Sequence, residues 1–234
     1  MRMRIAAVLI GALAASGCSD FPKDNAETLK QLKAGREMKV GVAHNPPWTV
    51  VADGKVEGVE PALVARWAQS LGTRARFIIA PEDDLVEALY KRELDVLVTG
   101  MTDKTPHSGK LALSQPYLEV KTNIGVAPGQ TPLADWTGQR IAVDPERLDL
   151  VSQVRELEAE PVPLDTGGSS VPIMAGYDFE LVRRGLKPTE DELSTERRVM
   201  AVIPGESALL LSLDQFLQAQ DKEGLKDKAA EALP

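Results

Sequence analysis

Apolar and polar positions alternate over Met38-Lys-Val-Gly-Val-Ala43, a period of two that predicts a strand. Asn45-Pro46-Pro47 ends it. Thr49-Val-Val51 and Lys55-Val56 flank Asp53-Gly54, which predicts a turn between them. The period then lengthens. Leu63, Val64, Trp67 and Leu71 recur at helical spacing, with Pro61 in a first-turn position and Gly72 where a helix stops. Arg74 to Ala80 reads as a second strand, and Asp83 to Arg92 as a helix burying Leu85, Ala88 and Leu89. Leu94-Asp-Val-Leu-Val-Thr99 is a third strand, apolar enough for burial on both faces. Strand, helix, strand, helix, strand predicts a parallel sheet covered by helices.

The pattern restarts at Lys121. Asn123 to Ala127 and Arg140 to Val143 read as strands joined through Pro128-Gly129 and Thr137-Gly138. Leu148, Val151, Val154 and Leu157 share one face of a helix. Glu160 to Leu164 and Val171 to Ala175 read as short strands around Thr166-Gly-Gly-Ser-Ser170, followed by a helix over Phe179 to Arg184. Arg198 to Ile203 reads as a last strand. Helices are expected from Glu206 to Gln220 and from Lys222 to Ala232. Two strand and helix sets with a helical tail predict two α/β lobes.

Before all this lies a different pattern. Arg2 and Arg4 precede an apolar run from Ile5 to Ala15, then Ser16-Gly17-Cys18. A basic start, a short apolar core and small residues predict a secretory signal, since a membrane span needs about 20 apolar residues. Ala15-Ser-Gly-Cys18 resembles the lipobox of bacterial lipoproteins. That resemblance implies cleavage before Cys18, acylation of Cys18 and a membrane anchor; several acyl chains hold a protein where one does so only marginally. Cys18 is the single cysteine, so no disulfide is expected. Ser19, in place of the usual retention aspartate, points to an outer membrane if the cell has two. Ser19 to Asn25 lacks apolar periodicity and reads as a tether.

Charge narrows the function. The chain carries 27 Lys+Arg against 35 Asp+Glu, a net −8 that loss of Arg2 and Arg4 would take to −10. Nucleic-acid binding rewards the opposite sign. At 43% hydrophobic the chain can build a core. His44 and His107 are the only histidines and stand in no ligand pattern, so no metal or other cofactor is expected.

The order of several short motifs resembles the bacterial family 3 solute-binding proteins, the amino-acid-type receptors of ABC importers. They are Val40-Gly41-Val42, Pro46-Pro47-Trp48, Gly58-Val59-Glu60, Leu94-Asp95-Val96, Gly100-Met101-Thr102, Leu113-Ser114-Gln115-Pro116-Tyr117 and Asp135-Trp136-Thr137-Gly138. The resemblance runs from about Lys39 to Leu225. It implies a type II periplasmic-binding-protein fold: two mixed sheets covered by helices, joined by two hinge strands and closing on a small solute. Residues 1–17 are then the signal peptide and 18–36 the lipidated tether and first helix. Residues 37–119 with 200–234 form lobe 1, and 120–199 a shortened lobe 2.

The ligand positions that the resemblance implies are altered. The arginine that clamps a ligand carboxylate falls at His107, or at Ser108 if Thr105-Pro106 sets the register. The two aromatic platforms fall near Asn45 and Glu82, the second lobe's ammonium partner near Gly176. Asp144-Pro-Glu-Arg147 replaces the Gly-Thr loop, and Thr166–Ser170 is too short for the usual helix. The expected ligand-facing set is Asn45, Trp48, Glu82, Gly100, Thr102, His107, Asp144 and Arg147. Gly100 lets a ligand approach the backbone, and Thr102 offers a hydroxyl. Trp48 is either a cleft aromatic or a core plug. Glu82, Asp103 and Asp144 are either an acidic mouth for a cation or solvated surface charges. A zwitterionic amino acid in the usual pose loses its partners at roughly 2–5 kcal/mol each.

The leading expectation is a monomeric, lipid-anchored receptor that passes a small polar solute to an ABC permease and does no chemistry. A sensing or protein-binding module on the same fold is the alternative. A dehydratase-like enzyme, with His107 and Glu82 or Asp103 as its acid/base couple, stands third.

Overall fold

The computed structural model describes residues 23–164 and 172–233. The signal segment, Cys18 and Thr166–Ser170 lie outside the described residues. Helix α1 (Thr28–Lys33) leads into β1 (Met38–Val42), then a hairpin of β2 (Val50–Ala52) and β3 (Lys55–Glu57). Helix α2 (Val59–Ser70), β4 (Ala75–Ile79), α3 (Glu82–Tyr90) and β5 (Val96–Val98) complete the predicted alternation. Strand β1 pairs in parallel with both β4 and β5. All three β5 residues are buried, as a strand flanked on both edges and covered on both faces requires.

The punctuation works as the sequence implied. Beyond α2, Gly72 takes a left-handed φ of 80°. Its N–H donates to Gln69 O at 3.0 Å, and the Thr73 N–H to Ala68 O at 3.0 Å. This 5→2 and 6→1 pair closes the last turn of the helix.

After β6 (Ala112–Leu113) the chain crosses to a second sheet through the long strand β7 (Leu118–Val126). That sheet adds β8 (Arg140–Val143), helix α4 (Leu148–Glu156), β9 (Glu160–Pro163), β10 (Ile173–Tyr177), helix α5 (Asp178–Arg183) and β11 (Lys187–Arg198). The chain then returns to the first sheet as β12 (Ala201–Val202) and ends in α6 (Ser207–Gln218) and α7 (Lys222–Glu231). The strand orders are β4-β1-β5-β12-β6 and β11-β7-β10-β8-β9.

Three expectations need correction. The strand expected over Arg198 to Ile203 is two strands in different sheets: Arg198 ends β11, and β12 begins at Ala201. The whole of β11 before Arg198 escaped the sequence reading. It is an edge strand, Lys-Pro-Thr-Glu-Asp-Glu-Leu-Ser-Thr-Glu-Arg-Arg, with register shifts against β7 between Pro188 and Ser194. An edge accepts proline and charge that a central strand rejects, and those charges discourage edge-to-edge pairing. Finally, the end of the polar N-terminal stretch is docked. Asp24 Oδ1 accepts from the N–H groups of Ala208 and Leu209 at 2.7 and 2.9 Å, capping α6 from far away in sequence.

The two sheets meet at a waist where three segments run side by side. Val199 N–H donates to Met101 O at 3.1 Å, Asp103 N–H to Arg197 O at 2.9 Å and Tyr117 N–H to Arg198 O at 3.0 Å. One apolar cluster extends through that waist, from Leu63, Trp67 and Leu213 past Trp48 and Tyr117 to Tyr177 of the second sheet.

Candidate functional site

Chain direction places the site. The parallel strands β1, β4 and β5 all deliver their C-terminal ends to one edge of the first sheet, where α/β proteins bind ligands. There a groove of about 550 Å³ is lined by His44, Asn45, Val51, Ile79, Glu82 and Thr99, among others. Of the expected set, the groove gathers Asn45 and Glu82. Asn45 is held by its own amide, whose Nδ2 donates to Thr99 O at 3.0 Å and Gly100 O at 3.4 Å. His44 Nδ1 accepts from the Val51 N–H at 2.9 Å, which ties the hairpin to the groove.

Beside the groove, Gly100 turns with φ 70°, and a Cβ there would lie 2.4 Å from Asn45 Nδ2. Only glycine fits that turn without displacing Asn45. Its N–H donates at 2.8 Å to Glu60 Oε2, and Tyr117 Oη donates at 2.6 Å to Glu60 Oε1. Glu60 is fully buried. Burial pushes its carboxyl above the ordinary carboxylate range, while Tyr117, the Arg198 charge and the Gly100 N–H pull the other way.

Trp48 is 0% exposed, so it lines no open groove. Instead it packs edge-on against Tyr177 at 5.8 Å and Phe179 at 6.1 Å, rings that come from the other lobe. Tyr177 and Phe179 stack on each other at 5.1 Å. Two arginines complete the seam. The Arg198 guanidinium lies 4.5 Å from the Trp48 ring centroid, and the Arg147 guanidinium 4.2 Å from that of Tyr177. Arg198 Nη2 donates to Tyr177 Oη at 2.9 Å and pairs with Glu196, while its Nη1 donates to Gly100 O. Arg147 Nη2 is 2.8 Å from Asp149 Oδ2 and 3.6 Å from Glu196 Oε1. Burial opposes the Arg147 charge, but Tyr177, Asp149 and Glu196 hold it protonated more firmly than usual.

The remaining expected residues lie elsewhere. Thr102 Oγ1 accepts from the Lys104 N–H at 3.3 Å and its backbone bridges to Arg198. Asp144 Oδ1 caps its own loop by accepting from the Glu146 N–H at 2.9 Å. Asp103 pairs with Arg197 at 2.9 Å. His107 Nε2 is 3.2 Å from Asp83 and 3.8 Å from Glu82. It lines a different cavity, of about 420 Å³, with Lys110 and with Asp83, Val86, Glu87 and Tyr90 of α3. Of the acidic trio proposed for the mouth, only Glu82 lines the groove.

Sequence reading missed Tyr177, Phe179, Glu196 and Arg198. Two signals pointed to them. A chain with three Trp, three Tyr and four Phe places two aromatics two residues apart. And had β11 been recognised, its period of two would have put Glu196 and Arg198 on one face.

Among the described residues no helix is long and apolar enough to cross a membrane, and no group of three or more His, Cys, Asp or Glu has metal-holding geometry.

Comparison with known proteins fits this architecture. The chain is 24% identical to a probable histidine-binding protein of Neisseria gonorrhoeae, across 95% of this chain and 91% of that one. The fold matches an ancestral cationic amino acid solute binding protein with TM-score 0.68 and 17% identity, covering 87% of this chain and 98% of the other. The L-cystine solute receptor of Neisseria gonorrhoeae, in its unliganded open conformation, matches with TM-score 0.63 and 16% identity over 87% and 94% of the two chains. The model of the bacterial extracellular solute-binding proteins, family 3, matches residues 38–232, and this chain belongs to that family.

Proposed function

We propose that the chain is a lipid-anchored extracytoplasmic receptor that takes up a small polar solute between its lobes and presents it to an ABC-type permease. The anchor is Cys18, and residues 37–119 with 200–234 form one lobe, 120–199 the other. The observation that carries this reading is the groove at the C-terminal edge of the β4-β1-β5 ladder. It is lined by Asn45 and Glu82, and the Gly100 turn packs against Asn45 beside it. Glu82 gives the groove a negative side, and the proteins this chain resembles include a probable histidine-binding protein and an ancestral cationic amino acid solute binding protein. A solute with a cationic end is therefore the favoured class. No catalytic step belongs to this reading.

A thermal-shift screen of the mature protein tests it. Amino acids, polyamines, organic acids and sugar acids are compared, since a ligand at 100 times its dissociation constant stabilises by about 2.7 kcal/mol. A cationic solute should raise the melting temperature, and Glu82→Gln should reduce that shift. Common neutral zwitterions should give little. A response to neutral amino acids alone, indifferent to Glu82, refutes the assignment. Metabolic labelling with a fatty acid checks the anchor: label should be lost in Cys18→Ser.

A second reading has one observation behind it. The seam already contains a packed cluster of Trp48, set edge-on against the stacked Tyr177 and Phe179, with two arginines. A module that senses or binds a protein, with its lobes held together, fits that cluster. Such a module would respond to nothing in the screen.

A further inference from the structure

The N-terminal edge of the first sheet carries a charge that the rest of the chain does not. Strands β1, β4 and β5 are parallel, so the residues before each lie along one edge, opposite the groove. Those stretches, 23–37, 72–76 and 91–95, hold eight Lys and Arg against five Asp and Glu, in a chain whose net charge is −8. Lys30, Lys33, Arg74, Arg76, Lys91 and Arg92 are exposed there. The carboxylates do not cancel them evenly. Glu37 is shared between Arg74 at 2.9 Å and Arg76 at 3.9 Å. Glu206, which pairs with Arg92 at 2.6 Å, has a side chain only 1% exposed. Glu27 and Glu87 pair with Lys30 and Lys91 in the open, and exposed pairs of that kind are weak enough to exchange partners.

A strap ties the start of the described chain to the same edge. Strand β12 runs antiparallel to β5 and so delivers Gly205 and Glu206 there. Asn25 N–H donates to Gly205 O and Ser207 N–H to Lys23 O, both at 3.0 Å. Ala26 N–H donates to Glu206 Oε1 at 3.0 Å, so one buried carboxylate joins the strap to Arg92. Lys23 stands five residues after Cys18, a reach of at most about 18 Å. The field of an anionic bilayer decays over a Debye length, about 10 Å at 0.1 M salt. A strap this short holds the basic edge where that field acts. We infer that the N-terminal edge of the first sheet is a membrane-docking face that lies against anionic phospholipid headgroups. This rests on the Cys18 anchor and goes beyond it, since an anchor alone sets no orientation. The groove, at the other end of the same strands, then opens away from the bilayer that holds the protein.

Lysine footprinting on vesicles tests the face. The mature chain, made without acylation, has one thiol, at Cys18, through which it is coupled to a maleimide lipid. The vesicles are either phosphatidylcholine alone or phosphatidylcholine mixed with phosphatidylglycerol. A neutral amine-acylating reagent and mass spectrometry then read each lysine. On the mixed vesicles Lys30, Lys33 and Lys91 should react about fivefold more slowly than in the uncoupled protein. Lys55 of the hairpin and Lys104, both exposed at the groove end, should react unchanged. Salt should remove the protection. So should Arg74→Glu with Arg76→Glu, whose side chains are 86% and 59% exposed and whose reversal should leave the melting temperature in place. Uniform rates at all five lysines, or equal protection on phosphatidylcholine alone, overturns the docking face. The coupling is chemical, so the footprint is independent of natural acylation. Fatty-acid labelling of Cys18 without a footprint keeps the anchor and sinks the face; a footprint without labelling does the reverse.

Discussion

Glu60 shows how much one residue can depend on its surroundings. Sequence offered it only as part of a Gly-Val-Glu motif, yet it holds the Gly100 turn and Tyr117 together at the base of the site. Because burial raises its carboxyl above 4.5, the folded chain keeps that proton to higher pH than the unfolded chain does. Its contribution to stability is complete below the unfolded value and is lost as pH rises through the folded one. The stability difference between wild type and Glu60→Gln should therefore shrink from about pH 4 toward neutrality, measured by melts across pH. A difference that grows with pH would mean that the ionised form is the favoured one. Gly100→Ala should cost about 1–2 kcal/mol from the left-handed backbone alone. The clash with Asn45 adds to this and should weaken solute binding at the groove. Trp48 illustrates what residue type leaves open: its spacing suited a cleft or a core, and the opposing rings of Tyr177 and Phe179 put it in the core of the seam.

At the scale of elements, the regular ones were legible and the edges were not. Helix α2 announces itself by Pro61, its apolar stripe and Gly72, all local signals. Strand β11 has none of these, because an edge strand is selected for charge and takes its pairing from β7. The N-terminal stretch lacks a local signal too, because Asp24 caps α6 across a gap of more than 180 residues. Removing that cap should cost about 1 kcal/mol. Asp24→Ala is expected to lower the melting temperature by about 2–4 °C and to hasten proteolysis before α1. Unchanged melting and cleavage would show that the contact contributes nothing.

At the scale of the molecule, the two five-stranded sheets share one waist and one aromatic seam. Phe179→Ala removes the ring stacked on Tyr177 while leaving Trp48 and both arginines in place. It should loosen the contact between lobes and leave each sheet intact. Hydrogen exchange is expected to speed up at 45–49 and 174–178 and to stay unchanged in β1, β5 and α6. Acceleration across both sheets alike would mean that the ring supports the fold as a whole. The same scale explains the site. Asn45, Glu82 and Thr99 reach the groove from three separate segments of the chain, and no local pattern brings them together.

Its sequence alone determined that this chain is an α/β protein with two strand and helix sets and the motif order of the family 3 solute-binding proteins. Periodicity and punctuation act over a few residues, and the chain obeys them wherever its elements are buried. Only the tertiary structure decided that His107 lines a cavity apart from the groove, that Arg198 pairs with Glu196 beside Tyr177, and that Trp48 is buried in the seam. Those outcomes depend on which sheet edge a strand joins and which lobe a ring meets, and both are settled by packing between distant segments.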